Sequence, residues 1–336
     1  MAKIGIIGAG SWGCALAVLL RGNGHEVCLW SALPEEIAQL RQTKEHRALP
    51  GVKLDGIVFT DDLKEAAQGK DLLVMAVASP YTRATAKRLK EMTADGQKIV
   101  NVAKGIEEHT LMTLSEIIEE EIPQADVAVM SGPSHAEEVG RGIPTTIVVG
   151  AKSRKTAEAI QNIFMNEVFR VYTSPDVLGM ELGGALKNVV ALAAGMADGL
   201  GYGDNTKAAL ITRGIAEIAR LGTAMGAKFE TFCGLTGIGD LIVTCASMHS
   251  RNRRAGILIG QGKSMEEAMA EVKMVVEGVY SAKAAMGLAE KYNVQLPIIE
   301  QVNKILFEGK PAADAVRDLM LRDKKIEISD AGWDEE

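Results

Sequence analysis

The sequence predicts an α/β protein: a parallel β-sheet covered by helices in the first half of the chain, followed by an all-helical second half. Three observations carry this. Short β-rich apolar runs alternate with amphipathic or alanine-rich segments as far as residue 175, as in βαβ units. No convincing strand pair follows that point. A glycine-rich turn, Gly8-Ala-Gly10-Ser-Trp-Gly13, joins the first apolar strand to the first helical run, Cys14 to Leu20.

The expected strands are Lys3 to Gly8, Glu26 to Trp30, Ile57 to Thr60, Asp71 to Val77, Lys98 to Ala103, Asp126 to Ser131, Thr145 to Val149 and Phe169 to Tyr172. Their apolar cores are short and nearly continuous, as strands covered on both faces require. At Ser174-Pro175-Asp176 the pattern changes. Ser174 can cap a helix and Pro175 suits a first turn. Leu182 to Ala197 then reads as a buried helix, shorter than a bilayer span and interrupted by Lys187 and Asn188. Ser264-Met-Glu-Glu267 is a capping box, and Asn293 to Pro297 separates two further helices. The expected domains are residues 1–175 and 176–328, with a loosely held acidic tail at 329–336.

A chain of 336 residues suits one large or two moderate domains, and 47% hydrophobic with 24% charged residues is enough to bury a core without disulfides or a metal. The net charge of −7 gives no overall attraction to nucleic acid or anionic lipid, so an anionic ligand must be met by a local cluster of cations. Cys14, Cys28, Cys233 and Cys245 show no CxxC or His-partnered spacing and read as reduced structural thiols. The opening residues lack the pattern of an export signal, so a cytoplasmic location is expected.

The glycine turn carries the first chemistry. In the strand–turn–helix context, Gly8 permits the tight turn, Gly10 lets backbone approach a pyrophosphate, and Gly13 lets helix pack on strand. The N-terminus of the following helix faces the anion. The first half therefore reads as a Rossmann-type dinucleotide-binding domain. At the end of the second strand the chain reads Trp30-Ser31-Ala32. Neither the carboxylate expected for NAD nor an adjacent arginine for NADP stands there, and the cofactor is NAD or NADP.

Several further residues lie where a site would form. Lys104 ends a strand in Asn-Val-Ala-Lys-Gly, and the carboxyl ends of strands are where open parallel sheets bind ligands; otherwise it is a solvated strand-end lysine. Ser131-Gly132-Pro133-Ser134 offers small residues that let amides and a hydroxyl reach a ligand, or is a plain turn. Lys187 is the one charge between Leu182 and Ala197; it either snorkels out or is buried for a purpose. Burial would bring its pKa toward neutrality, as proton exchange requires. The glycine-rich loop Gly234 to Gly239 ends in Asp240, which orients a buried ammonium or caps a helix. Ser250-Arg251-Asn252-Arg253-Arg254 matches a phosphate, or is a solvated basic turn.

Taken together, Gly8 to Gly13, Ala103 to Glu107, Ser131 to Ser134, Gly183 to Asn188, Gly234 to Cys245 and His249 to Arg254 resemble the bacterial-type NAD(P)-dependent glycerol-3-phosphate dehydrogenases over nearly the whole chain. The resemblance implies cofactor contacts at Ser11, Trp12, Lys104, Ala136, Arg251, Val275 and Glu277. It implies substrate contacts at Lys104, Gly132, Ser134, Asp240, Ser250, Arg251 and Asn252, with Lys187 as the proton-transferring group. Lys104 and Asp240 would settle charge around it. The implied activity is reversible hydride transfer between NAD(P)H and dihydroxyacetone phosphate, supplying glycerol 3-phosphate for phospholipid synthesis. Ser31 stands where many members carry a basic residue. The helical domain is a candidate homodimer interface. Two rivals share much of the pattern: a reductase of unphosphorylated hydroxy acids or of ketopantoate, which also uses a lysine on the interdomain helix, and a non-catalytic nucleotide sensor.

Overall fold

The computed structural model describes residues 1–324 together with 326 and 327. The acidic tail expected at 329–336 lies outside the described residues. Each expected strand segment holds a strand: β1 (Lys3–Ile7), β2 (Glu26–Trp30), β3 (Val58–Thr60), β4 (Leu72–Met75), β5 (Lys98–Asn101), β6 (Asp126–Ser131), β7 (Thr145–Ala151) and β8 (Phe169–Ser174). They form one sheet in the order β3-β2-β1-β4-β5-β6-β7-β8. Between them lie α1 (Ser11–Gly22), α2 (Pro34–Thr43), α3 (Leu63–Ala67), α4 (Thr82–Leu89), α5 (Leu114–Glu121), α6 (Ala136–Val139) and α7 (Arg154–Phe164). One sheet face packs residues such as Ile4, Ile6, Val74 and Val100 with Leu16 and Leu20 of α1 and Ile160 of α7. The other packs Ile7, Met75 and Ile99 with Leu63, Ala86, Leu89 and Ile118 from α3, α4 and α5. Both faces are therefore dry, which explains the unbroken apolar runs.

The expectation of a parallel sheet holds from β3 to β6 and fails at β7, which pairs antiparallel with β6, while β8 is parallel to β7. The physical reason is the connection. A parallel return needs a helix that runs back along the sheet, about ten residues or more. Residues 132–144 contain only the four-residue α6, which packs on α1, so the chain re-enters the sheet at the end from which it left.

The second half is helical throughout its described residues: α8 (Val177–Gly199), α9 (Asp204–Ala224), α10 (Phe229–Phe232), α11 (Asp240–Ala246), α12 (Arg251–Gly260), α13 (Met265–Val272), α14 (Glu277–Lys291), α15 (Pro297–Glu308) and α16 (Ala312–Met320). The Ser264 capping box forms as expected. The cap of α8 differs from expectation. Ser174 closes β8, and Asp176 caps the helix by accepting from the Gly179 N–H at 3.1 Å. A carboxylate interacts more strongly with the positive helix end than a hydroxyl does, and its other oxygen also holds the Lys228 N–H and the Thr231 hydroxyl.

Helix α8 is longer than its apolar stretch suggests. Its 23 residues are long and apolar enough to cross a bilayer, but 89% of the most apolar window is buried beneath other helices, among them α9, α11, α12, α14 and α15. A second stretch of that length and character, Phe229–Ala246, is divided into α10, a π-helical turn and α11. Cys14, Cys28 and Cys245 are buried thiols whose pKa burial pushes up to about 12, 11 and 12. Cys233, expected to be structural like them, is exposed.

Helix α12 crosses α8 at very short range. A Cβ on Gly195 would stand 2.1 Å from the Arg253 carbonyl oxygen, and one on Gly256 would stand 2.2 Å from that of Leu192. Gly199 and Gly260 meet one turn further along in the same way. These glycines forgo helix propensity so that the backbones can touch. Gly256→Ala, which would stabilise an exposed helix, is therefore expected to destabilise this protein by about 1–3 kcal/mol through overpacking; chemical denaturation measures it, and an unchanged or raised midpoint would contradict the close crossing.

Candidate active site

The sheet changes winding direction between β1 and β4, and the crevice at the carboxyl ends of its strands is where open sheets of this kind bind ligands. Gly8 begins it with φ of +125°, and a Cβ there would strike the Ala76–Val77 backbone at 2.7–2.8 Å. The Gly8 N–H donates to the Trp30 carbonyl at 2.9 Å, which ties the turn to the end of β2. Gly13 lies so close to Gly8 that a Cβ would meet its carbonyl oxygen at 2.0 Å. Gly10, in contrast, has open space around it and caps α1 without a side-chain hydrogen bond. The first-turn amides of Ser11, Trp12 and Gly13 are thus presented at a helix N-terminus beside an uncrowded glycine, a cradle that fits a dinucleotide pyrophosphate.

The second part of the site is built across the two halves of the chain. Lys104 follows β5, Lys187 lies in the middle of α8, and Asp240 opens α11. The Asp240 carboxylate accepts from Lys187 Nζ on Oδ1 and from Lys104 Nζ on Oδ2, both at 2.6 Å. Asp240 is 1% and Lys187 6% exposed. Asp240 therefore serves two lysines rather than capping its helix, and Lys187 does not snorkel. Burial pushes the Lys187 pKa down to about 8; Asp240 opposes that shift and the neighbouring Lys104 ammonium adds to it. Burial would raise the Asp240 carboxyl, but the two ammoniums outweigh it and hold the group below the usual carboxylate range.

Two departures from expectation shape this arrangement. Residues Leu235–Gly239 form a π-helical turn rather than a loop. Its glycines allow contacts that a side chain would block: Gly237 sits against the Phe232 carbonyl, and Gly183 of α8 against that of Thr236. The turn delivers Asp240 inward. The second departure is Thr244, which sequence reasoning missed. Its hydroxyl accepts from Lys187 Nζ and donates to the Asp240 carbonyl, both at 2.6 Å. Its position four residues after Asp240, on the same face of α11, is the signal that was available.

The remaining expected residues fall around this centre. Lys104 Nζ also donates to the Gly132 carbonyl at 3.1 Å, and the Ser134 hydroxyl donates to the same oxygen at 2.9 Å. Asn252 donates to the Asn188 side chain at 3.0 Å and accepts from the Gly278 N–H at 2.8 Å, which binds the start of α12 to α8 beside Lys187. The Ser250 hydroxyl caps α12 by accepting from the Arg253 N–H and keeps its own hydrogen. Burial pushes the Glu277 carboxyl up, opposed by the charges of Arg251, Lys104 and Lys187, so these four groups share one electrostatic neighbourhood. Ser79 N–H reaches Glu277 at 3.5 Å. Ala136 is buried at the start of α6, and Val275 precedes α14 half-buried; neither touches the lysine pair through a hydrogen bond. The basic run does not act as one cluster. Arg253 is tied to Asp198 at 2.8 Å and to the Ala246 carbonyl at 2.7 Å, while Arg251 shares the charge environment of Glu277 with the two lysines.

A glycine turn fit for a dinucleotide after β1, together with a buried lysine held by a carboxylate that also binds the lysine after β5, defines a nucleotide-dependent dehydrogenase. Family models for the N-terminus and C-terminus of NAD-dependent glycerol-3-phosphate dehydrogenase match residues 3–157 and 176–317. The chain belongs to that family. It is 67% identical over 335 residues to the glycerol-3-phosphate dehydrogenase (NAD(P)+) of Agathobacter rectalis, covering 99% of this chain and 100% of that one. It is 62% identical to the enzyme of that name from Fusobacterium nucleatum, covering 98% and 99%. Among solved structures, a glycerol-3-phosphate dehydrogenase from Coxiella burnetii superposes with a TM-score of 0.92 at 35% identity, covering 96% of this chain and 99% of that one.

Asp240→Asn would leave two ammoniums facing a neutral amide in a dry site. The expected result is a loss of about 3–5 kcal/mol in unfolding free energy, measured by chemical denaturation; a variant as stable as the parent would show that the carboxylate does not hold the lysines together.

Proposed function

We propose that this chain interconverts dihydroxyacetone phosphate and sn-glycerol 3-phosphate with NAD(H) or NADP(H), and that Lys187 is its proton-transferring residue. The observation that carries the reading is a buried lysine whose pKa lies at about 8, hydrogen-bonded to a carboxylate shared with a second lysine. The bound nicotinamide supplies or accepts the hydride. Protonated Lys187 holds its proton at Nζ for the ketone oxygen of dihydroxyacetone phosphate; neutral Lys187 accepts the hydroxyl proton of glycerol 3-phosphate. Lys104 and Asp240 set the charge around that oxygen, and Thr244 fixes the direction of the Lys187 ammonium. The proposed substrate contacts are Lys104, Gly132, Ser134, Asp240, Ser250, Arg251 and Asn252. Arg251 supplies the guanidinium for the phosphate, whose binding keeps the carbon chain in register. Cofactor contacts are assigned to Gly8, Gly10, Ser11, Trp12, Gly13, Lys104, Ala136, Arg251, Val275 and Glu277. On this reading residues 1–175 bind the nucleotide and 176–328 the substrate, and the protein works in the cytoplasm.

Purified protein should consume NADH or NADPH absorbance with dihydroxyacetone phosphate and not with plain dihydroxyacetone. Equal rates with both would favour a reductase of unphosphorylated substrates, and cofactor binding without oxidation would favour a sensor. Lys187→Ala should lower turnover by about a hundredfold or more while cofactor affinity stays near that of the parent; parent-like turnover would remove Lys187 from its role.

The pH dependence has a definite sign. Oxidation of glycerol 3-phosphate needs neutral Lys187, so its rate should rise with pH and level off above about 8. Reduction needs the protonated form and should fall as pH rises through the same value. Initial rates in both directions across this range test it, and profiles that move together would contradict it.

A further inference from the structure

The end of β2 carries a carboxylate that the local sequence conceals. Ser31, directly after Trp30, is buried, and its hydroxyl donates to Glu36 Oε2 at 2.5 Å while accepting from the Leu33 N–H at 3.1 Å. Glu36 lies in the first turn of α2, which Pro34 begins. It stands five positions after Ser31, and the Leu33–Pro34 turn folds it back over the strand end. The place is the right one for a nucleotide. Because the Gly8 N–H is bonded to the Trp30 carbonyl, the residue after Trp30 lies beside the glycine turn. The Glu36 charge is felt at Cys14 in the first turn of α1. Its second oxygen, Oε1, is 4.0 Å from His46 Nε2, outside hydrogen-bond range.

We propose that Glu36, anchored by Ser31, is the carboxylate that receives the adenosine ribose hydroxyls, and that it makes this enzyme prefer NAD(H) to NADP(H). The inference rests on the reading of the α1 N-terminus as a dinucleotide site. In dinucleotide folds an acidic residue at the end of the second strand accepts from the ribose 2′-hydroxyl, and a 2′-phosphate needs a cation instead. Here a carboxylate reaches that position from the next helix, with the serine holding it in place. A 2′-phosphate would meet it as a like charge, which is strongly disfavoured. The neighbouring cations are committed elsewhere. Arg41 donates twice to the Phe59 carbonyl, at 2.7 and 3.2 Å. Lys44 lies over the Phe59 ring, and Arg88 lies over the Trp30 ring. Arg47, beside His46, is the cation from which a competing NADP preference would have to come.

The test is a fluorescence titration of NADH and NADPH on the intact protein without substrate, using the parent, Glu36→Gln, Arg47→Ala and Ser31→Ala. The parent should bind NADH on the order of a hundredfold more tightly than NADPH. Glu36→Gln, nearly the same shape, should narrow the ratio by roughly tenfold or more, mainly by tighter NADPH binding, with the thermal midpoint unchanged. Arg47→Ala should leave the ratio as it was. Ser31→Ala, which frees the carboxylate without removing its charge, should weaken NADH and keep NADPH excluded. A parent that binds both equally, a ratio unmoved in Glu36→Gln, or an NADPH preference lost in Arg47→Ala would each overturn the assignment. Selective NADH binding without turnover of dihydroxyacetone phosphate would remove the substrate reading and leave this one supported; failure to bind either nucleotide would overturn both.

Discussion

One buried carboxylate between two ammoniums organises this protein. Lys104 comes from the sheet, Lys187 from the central helix of the second half, and Asp240 from the π-helical turn that leads into α11. Together they carry a net charge of +1 in a nearly dry site (two ammoniums against one carboxylate). Such an arrangement is costly to assemble, because each charge leaves water. It persists where the groups are held by their own backbone elements and by hydrogen bonds, as here from Gly132, Thr244 and one another, with one N–H of each ammonium left over. The excess positive charge suits an anionic substrate although the whole chain is acidic. It also explains why Lys187 lies near neutrality: desolvation and Lys104 lower its pKa, and Asp240 keeps the shift from going further.

The surrounding architecture can be understood as the means of bringing these three residues together. Glycines do much of the positioning. Gly183 and Gly184 let α8 approach the π-helical turn and the Lys104 stem, and Gly195, Gly199, Gly256 and Gly260 let α12 lie directly on α8. The second contact brings Ser250, Arg251 and Asn252 to the centre. A further tie joins the halves: Glu181 of α8, buried and pushed up to about 7 by that burial, accepts from the backbone N–H and hydroxyl of Ser115 at the start of α5. The helix that carries Lys187 is thereby tied to the sheet domain as well as to the helices around it.

How much of this was legible in the sequence depended on whether the signal was local. The glycine turn, the eight strand segments, the capping box at Ser264 and the anomalous Lys187 all declare themselves within a few residues. The reversed β7 does not, because its direction depends on how far residues 132–144 travel and not on the apolar pattern of the strand. Asp176 replaced Ser174 as a cap because three groups from two segments converge on it. Glu36 was invisible for the same reason: at the end of β2 the chain reads Ser31-Ala32, and the carboxylate returns from the following helix. Arg253 looked like a phosphate ligand until its partner, Asp198, came close from α8.

Proton transfer at this site depends on the charge state of one side chain, and the direct test is an NMR titration of the lysine ε-carbons, with Lys187 assigned by comparison with Lys187→Arg. Lys187 should titrate near 8, well below the ordinary lysine value, and its value should rise when Lys104 is replaced by a neutral residue. A Lys187 signal that titrates at the ordinary lysine value would contradict this.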